Sequence, residues 1–134
     1  MLLSKGLVAP LPERLAQSLK DHSVEPVAWV EVHANPGRFE AGKGLLMEMP
    51  TGSPYLSPTL GVDKARIVRS RLDAGRTVAF AGDGFPDAES ARLVPGEFRF
   101  ARGDLADVLQ REGLPFHPFD TWSDVARVLL WRET

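Results

Sequence analysis

The sequence predicts a mixed α/β protein whose sheet is mostly parallel, and three observations predict it. Segments with strand character alternate with helical segments throughout the second half of the chain, as in proteins built on a parallel sheet. The run Thr77–Phe80 reads as a buried strand that continues through Ala81-Gly82 into a tight turn and then a helix. The composition, 43% hydrophobic and 25% charged, is that of a globular rather than a disordered protein.

Strands, turns and one helix are predicted for the first half of the chain. Leu11, Leu15 and Leu19 recur at helical spacing after Pro10 and Pro12, which predicts a helix ending near Asp21–Ser23. The other predicted elements are a strand in Met1–Leu7, a strand over Pro26–Val32 closed by the turn Asn35-Pro36-Gly37, and a β-hairpin over Arg38–Met49 that turns at Ala41–Gly44.

The second half predicts the α/β alternation in detail. Asp63–Ala74 is a helix by its periodicity, and Gly75 ends it. A helix begins near Asp87, after the Thr77 strand. Then follow a strand over Glu97–Ala101, a helix over Leu105–Glu112, an edge strand over Phe116–Phe119, and a last helix capped by Asp120 or Thr121 that runs through Trp131.

The length, charge and composition of the chain limit the number of domains, the partners and the cellular location that are expected. The length of 134 residues predicts a single domain, residues 1–134, with one core. A net charge of −2 with no stripe of Lys or Arg disfavours nucleic acid and anionic membrane as partners. There is no Cys, so disulfides, thiolate nucleophiles and Cys-based zinc sites are excluded. No apolar stretch has the length of a membrane span or signal peptide, so a cytoplasmic location is expected.

Two carboxylates follow the Thr77 strand. Asp83 and Asp87 lie four positions apart just beyond its carboxyl end, where open parallel sheets bind their ligands. Paired carboxylates suit Mg²⁺, which combines one or two of them with waters and phosphate oxygens. The alternative is that Asp83-Gly84 is an ordinary turn pair and Asp87 an ordinary helix N-cap.

Two further sites suggest anion binding. Lys64 lies in the first turn of its helix, where the helix dipole offers a cation no stabilisation, so an anion facing it would explain the residue. Ser4, Lys5 and Gly6 stand where the first strand is expected to pass into a loop, and a hydroxyl and free backbone N–H groups there would suit a phosphate. The alternatives are a solvated surface Lys and a Ser that caps the next turn.

The segment Gly82–Asp87, which reads GDGFPD, resembles the fourth motif, GDGxxD, of the haloacid-dehalogenase-like (HAD) superfamily of phosphatases. The resemblance implies a Rossmannoid three-layer α/β/α fold and Mg²⁺ held by Asp83 and Asp87. It also implies that Lys64 neutralises the phosphoryl group and the nucleophilic carboxylate, and that Ser4 hydrogen-bonds the phosphoryl oxygens. The implied function is Mg²⁺-dependent hydrolysis of a small phosphorylated metabolite.

The tail, residues 100–129, extends the resemblance. Its sequence, FARGDLADVLQREGLPFHPFDTWSDVARVL, resembles the MtnX-like branch of these phosphatases, which is related to phosphoserine phosphatase. Members near that branch dephosphorylate a phosphorylated keto-enol intermediate of methionine salvage. The resemblance spans about Met1 to Trp131 and is strongest from Asp63 onward.

One departure from the family pattern concerns the nucleophile. Superfamily members carry it in a D-x-D segment on the central strand of the sheet, and this sequence contains no D-x-D. Three hypotheses follow: the chain is the C-terminal portion of a phosphatase; it is a non-catalytic phosphate- or partner-binding module that closes its sheet by strand pairing or as a homodimer; or another acid serves as nucleophile.

Overall fold

The computed structural model describes residues 2–4, for their backbone, together with residues 31–59 and 61–131. The chain divides into two compact units, Met1–Asp63 and Lys64–Thr134, called here the N-terminal and C-terminal units. The predicted helix after Pro10 and the first part of the predicted strand before Glu31 lie outside the described residues. Within the described ranges, no helix combines the length and apolar character needed to cross a membrane.

The described part of the N-terminal unit consists of short paired strands. β1 (Leu2–Ser4) and β2 (Glu31–His33) pair in parallel. The predicted hairpin is confirmed, since β3 (Gly37–Glu40) and β4 (Gly44–Met47) are antiparallel neighbours. Gly42 and Gly44 have φ of 82° and 83°, values that favour glycine in such a turn. β5 (Leu56–Ser57) and β6 (Gly61–Val62) form a further antiparallel pair.

The C-terminal unit alternates helices and strands, as the sequence predicts. Its sheet has the order β7-β8-β9, and both pairings are parallel. The described protein is therefore a mixed α/β structure with a parallel sheet and small antiparallel hairpins. The elements in chain order are α1 (Lys64–Asp73), β7 (Phe80–Gly82), α2 (Ala88–Leu93), β8 (Arg99–Ala101), α3 (Gly103–Arg111), β9 (His117–Pro118) and α4 (Trp122–Leu130).

Two predicted strands begin later than expected. β7 starts at Phe80 rather than Thr77, and its residues are half-buried rather than buried. Among the described strands β7 pairs with β8 alone, so none of them covers its other edge, and its residues are less buried than those of β8. The segment predicted to be a strand from Glu97 begins instead with a 3-10 turn, Gly96–Phe98, and β8 starts at Arg99.

Apolar side chains cover both faces of the parallel sheet. Ala101 of β8 packs with Ala88 and Ala91 of α2 and with Leu105 and Leu109 of α3. Its neighbour in β8, Phe100, belongs to a separate cluster with Phe119 and with Val125 of α4. Because successive strand residues point to opposite faces, α2 and α3 cover one face of the sheet and α4 covers the other.

The helix ends follow the predicted signals. α1 ends before Gly75, which has φ of 73°, and the N–H of Gly75 donates to the carbonyl of Leu72 at 2.9 Å. Of the two predicted caps of α4, Thr121 occupies the N-cap position and shares a capping box with Asp124. Hydrogen bonds from the N–H and hydroxyl of Thr121 lower the pKa of the Asp124 carboxyl below its usual range.

A buried arginine joins the loops around β8. Arg99 is 5% exposed, and its guanidinium donates to the carbonyls of Ala91 at 2.7 Å, Val94 at 2.6 Å and Pro115 at 2.8 Å. Burial lowers the pKa of Arg99, but a guanidinium remains charged in proteins. Its fixed fork of donors lets one side chain bind one carbonyl in the last turn of α2 and one in each of the loops that follow α2 and α3.

Replacing this guanidinium tests how much it stabilises the C-terminal unit. Arg99→Met keeps much of the apolar stem but leaves three carbonyls without their donor, so we expect the free energy of unfolding to fall by about 2–4 kcal/mol. Urea denaturation followed by circular dichroism measures it. Arg111→Met is the matched control, because exposed Arg111 donates only to the carbonyl of Asp107 one turn earlier, and we expect a loss below about 0.5 kcal/mol. Equal losses in the two variants would contradict this account.

Candidate functional site

The loop after β7 lies at the carboxyl end of the parallel sheet. β7 ends at Gly82, the chain turns through Asp83-Gly84, and the 3-10 turn Phe85–Asp87 leads directly into α2. The Asp87 N–H donates to the carbonyl of Gly84 at 3.0 Å, which closes the turn. The two predicted metal ligands therefore flank a tight turn at the edge of the sheet where ligands bind in open α/β folds.

Asp87 holds this loop together. The residue is 5% exposed, and its Oδ2 accepts the backbone N–H groups of Asp83 at 3.0 Å and Gly84 at 3.2 Å. Asp87 stands at the N-cap position of α2, but its side chain makes no capping hydrogen bond to that helix. Asp87 is thus the N-cap residue of α2 by position, as the alternative has it, but its carboxylate turns back onto the preceding loop instead of capping α2.

The absence of a side chain at Gly82 lets the Asp87 carboxylate pack against the end of β7. A Cβ at position 82 would lie 2.7 Å from Asp87 Oδ2 and 2.8 Å from its Cγ, closer than a carbon atom can approach. The glycine is needed here for the close approach of the carboxylate to the strand, since its φ is outside the left-handed region. The first Gly of the GDGFPD segment thus has a steric role that its position alone does not reveal.

Lys64 forms an ion pair with the other carboxylate oxygen of Asp87. Its ammonium lies 2.5 Å from Asp87 Oδ1, and the side chains are 32% and 7% exposed respectively. Lys64 is the first residue of α1, so this ion pair joins the start of α1 to the loop after β7. The alternative of a freely solvated surface Lys is wrong, and the anion predicted to face Lys64 is, in the protein itself, a carboxylate.

Asp83 has a different environment from Asp87. Its side chain is 65% exposed, and its Oδ2 lies 3.5 Å from Nη2 of Arg102, whose side chain is 50% exposed. The register of the sheet accounts for this contact: Gly82 pairs with Ala101, so the residues that follow them, Asp83 and Arg102, emerge side by side. Sequence reasoning missed Arg102, although its place directly after the neighbouring parallel strand was the signal that could have found it.

The donor set suits a weakly held, hydrated cation. Asp83 is exposed and presents a carboxylate to solvent, whereas both oxygens of Asp87 already accept hydrogen bonds. Within residues 31–59 and 61–131, no group of three or more His, Asp or Glu side chains converges as a metal site would require. Mg²⁺ is commonly bound by one or two carboxylates and keeps several waters, so the exposed Asp83 carboxylate is compatible with the donor chemistry that Mg²⁺ prefers.

The remaining predicted residues belong to the N-terminal unit. Ser4 is the last residue of β1, where the structure describes its backbone but not its side chain. Lys5 and Gly6 lie outside the described residues. The structure thus brings together Lys64, Asp83 and Asp87, and adds Arg102. The roles of Ser4, Lys5 and Gly6 in binding phosphate stay predictions.

Comparison of the chain with protein-family models, with curated proteins and with solved structures finds no match. The resemblance to the HAD superfamily described above is therefore carried by the motif segments of the sequence. The inferences that follow are drawn from the geometry of the C-terminal unit together with that resemblance.

Adding one methyl group tests the packing of Asp87 against β7. Gly82→Ala places a carbon in contact with the Asp87 carboxylate, so we expect the loop to shift and the free energy of unfolding to fall by about 1–3 kcal/mol. Gly84→Ala is the matched control, since its Cβ would meet only Pro86 Cδ at an ordinary 3.4 Å, and Gly84 has φ of −120°. Thermal unfolding of both variants measures the difference. Equal stability of Gly82→Ala and the wild type would show that the carboxylate does not lie against Gly82.

Proposed function

We propose that Lys64, Asp83 and Asp87 form the Mg²⁺- and phosphate-binding part of a HAD-type phosphomonoester hydrolase site. The observation that carries the proposal is the contact of Lys64 with Asp87 beyond the carboxyl end of β7, where the Asp87 carboxylate also accepts the backbone N–H of the exposed Asp83. Two acids and an ammonium from separate elements are what binding a cation together with a phosphate requires.

The architecture supports a HAD-like fold for the chain. A parallel sheet with helices on both faces is the arrangement of a three-layer Rossmannoid domain. Among the described strands, the edge of β7 away from β8 has no partner, and this is the side on which the HAD resemblance places the nucleophile strand.

Each residue has a separate role in this proposal. Asp83 is the direct Mg²⁺ ligand, and the bound cation would neutralise charge on the phosphate ester. Asp87 fixes the loop through two backbone N–H groups and holds Lys64 in place. An ammonium has three N–H donors, so Lys64 can keep its bond to Asp87 and still donate to a phosphate oxygen. For Ser4, Lys5 and Gly6, the HAD resemblance implies hydroxyl and N–H donors to a phosphate, and this role stays a prediction from the sequence.

The absence of a D-x-D segment from this sequence distinguishes hydrolysis of a phosphate ester from binding of the ester alone. Hydrolysis by the HAD route needs a carboxylate nucleophile, and no D-x-D segment of this sequence supplies one. The described chemistry by itself supports binding of a small phosphorylated metabolite, either as the C-terminal portion of a phosphatase or as a binding module that closes its sheet by strand pairing or as a homodimer. Mg²⁺-dependent hydrolysis of a generic phosphate ester that is lost in Asp83→Asn would instead favour another acid as nucleophile.

Removing the charge of Asp83 tests the proposed cation site. We expect the wild type to bind Mg²⁺ and Asp83→Asn to bind it at least about tenfold more weakly, because even outer-shell changes lower metal affinity by about 10–100-fold. Isothermal titration with Mg²⁺ measures the affinity. Asp107→Asn removes the same charge from an exposed position on α3 and should bind Mg²⁺ as the wild type does. Equal affinities in all three proteins would rule out Asp83 as a ligand.

Replacing Lys64 tests the proposed phosphate contact. With Mg²⁺ present, we expect Lys64→Met to bind inorganic phosphate about tenfold more weakly than the wild type, because a charge-assisted hydrogen bond is lost. Lys64→Arg keeps the charge and should recover part of the affinity. Lys43→Met removes an exposed ammonium that pairs with Glu40 in the β3–β4 hairpin, and it should leave phosphate binding unchanged. Titration followed by NMR chemical shifts would report binding and folding together; unchanged affinity in Lys64→Met would exclude Lys64 from the site.

A further inference from the structure

Arg102 connects the exposed acid of the site to the end of the neighbouring strand. Its Nη2 lies 3.5 Å from Asp83 Oδ2, and its Nη1 donates to the carbonyl of Asp120 at 2.9 Å. Its guanidinium carbon lies 5.5 Å from the centre of the Phe119 ring, within the range of a cation–π contact. The side chain therefore has two anchors beyond β9 and one contact with the carboxylate beyond β7.

We propose that Arg102 is the resident counter-ion of Asp83, and that Arg102 and a divalent cation compete for that carboxylate. This inference builds on the proposed role of Asp83 as metal ligand and adds a residue to it. In the cation-free protein the guanidinium neutralises Asp83. In the cation-bound protein Mg²⁺ would take its place beside Asp83, and Arg102 would not be a ligand of the cation.

The geometry favours exchange over a permanent ion pair. A separation of 3.5 Å is longer than a hydrogen bond, so the contact between Arg102 and Asp83 is mainly Coulombic. Both side chains are at least half exposed, and exposed ion pairs of this kind are weak. A small doubly charged cation with its water shell can therefore displace the guanidinium from Asp83.

The two other anchors determine what Arg102 does after displacement. The bond to the Asp120 carbonyl and the contact with the Phe119 ring do not involve Asp83, so they can hold the guanidinium beside the site. The N–H donors released from Asp83 would then be available to an anion that binds together with the cation. Arg102 would thereby contribute a second donor group, besides Lys64, to the binding of a phosphate ester.

Neutralising Arg102 tests the competition directly. At low ionic strength we expect Arg102→Gln to bind Mg²⁺ about two- to fivefold more tightly than the wild type, because the competing charge is gone. The difference should shrink as chloride salt is raised to about 0.5 M, where charges on the surface are screened. Arg102→Lys keeps the charge and should bind Mg²⁺ like the wild type. Isothermal titration with Mg²⁺ measures each affinity, and circular dichroism checks the fold.

Two comparisons separate this inference from the function on which it depends. Arg127→Gln removes a matched exposed guanidinium that pairs with Asp124, and it should change Mg²⁺ affinity less than about 1.5-fold. In an Asp83→Asn background, Arg102→Gln should have no effect. If Mg²⁺ binding depends on Asp83 but Arg102→Gln binds equally or more weakly, the competition is overturned and the proposed cation site stands. If binding does not depend on Asp83, the proposed site and the competition both fall.

Discussion

The buried carboxylate of Asp87 is the constraint on which the C-terminal unit depends at the carboxyl end of its parallel sheet. A carboxylate that is 5% exposed needs partners, because an unpaired buried charge is strongly destabilising. Two backbone N–H groups of the loop satisfy one oxygen, and the ammonium of Lys64 satisfies the other. One side chain thereby sets the loop after β7, the start of α2 and the position of α1, and it can do so only because residue 82 has no side chain.

The sheet explains why charged residues meet beyond it. Parallel pairing of β7 with β8 brings the residues after both strands to the same edge, so Asp83 meets Arg102 without any sequence motif joining them. Arg99, three residues earlier and at the start of β8, is buried and donates to carbonyls near the end of α2, just after α2 and just before β9. The two arginines have different roles because Arg99 is buried within the strand, whereas Arg102 is exposed just beyond its end.

The sequence predicts local features better than long-range partners. The hairpin turn at Gly42 and Gly44, the end of α1 at Gly75 and the Thr121 cap are encoded within a few residues, and they are where the sequence predicts them. The alternation of strands and helices likewise predicts the parallel sheet. The predicted start of β7, at Thr77, is three residues too early, because the length of a strand depends on its pairing with a neighbouring strand. The motif indicated Asp87, and the first-turn position together with the resemblance indicated Lys64. Their direct contact, like the contacts of Arg99 and Arg102, joins residues from separate elements and has no local signal.

The net charge of the four charged side chains beyond β7 and β8 relates the binding of the two proposed ligands, Mg²⁺ and a phosphate ester. Asp83 and Asp87 supply two negative charges, and Lys64 and Arg102 supply two positive ones, so the four side chains together are formally neutral. A neutral cluster has little net attraction for a free phosphate, and none for a free cation beyond what the exposed Asp83 provides. With Mg²⁺ bound as proposed, the cluster would carry two positive charges, which would match a phosphate monoester of about −1.5 to −2. Cation and ester would therefore favour each other's binding, and the guanidinium displaced from Asp83 would remain beside the site, where its charge would act on the ester.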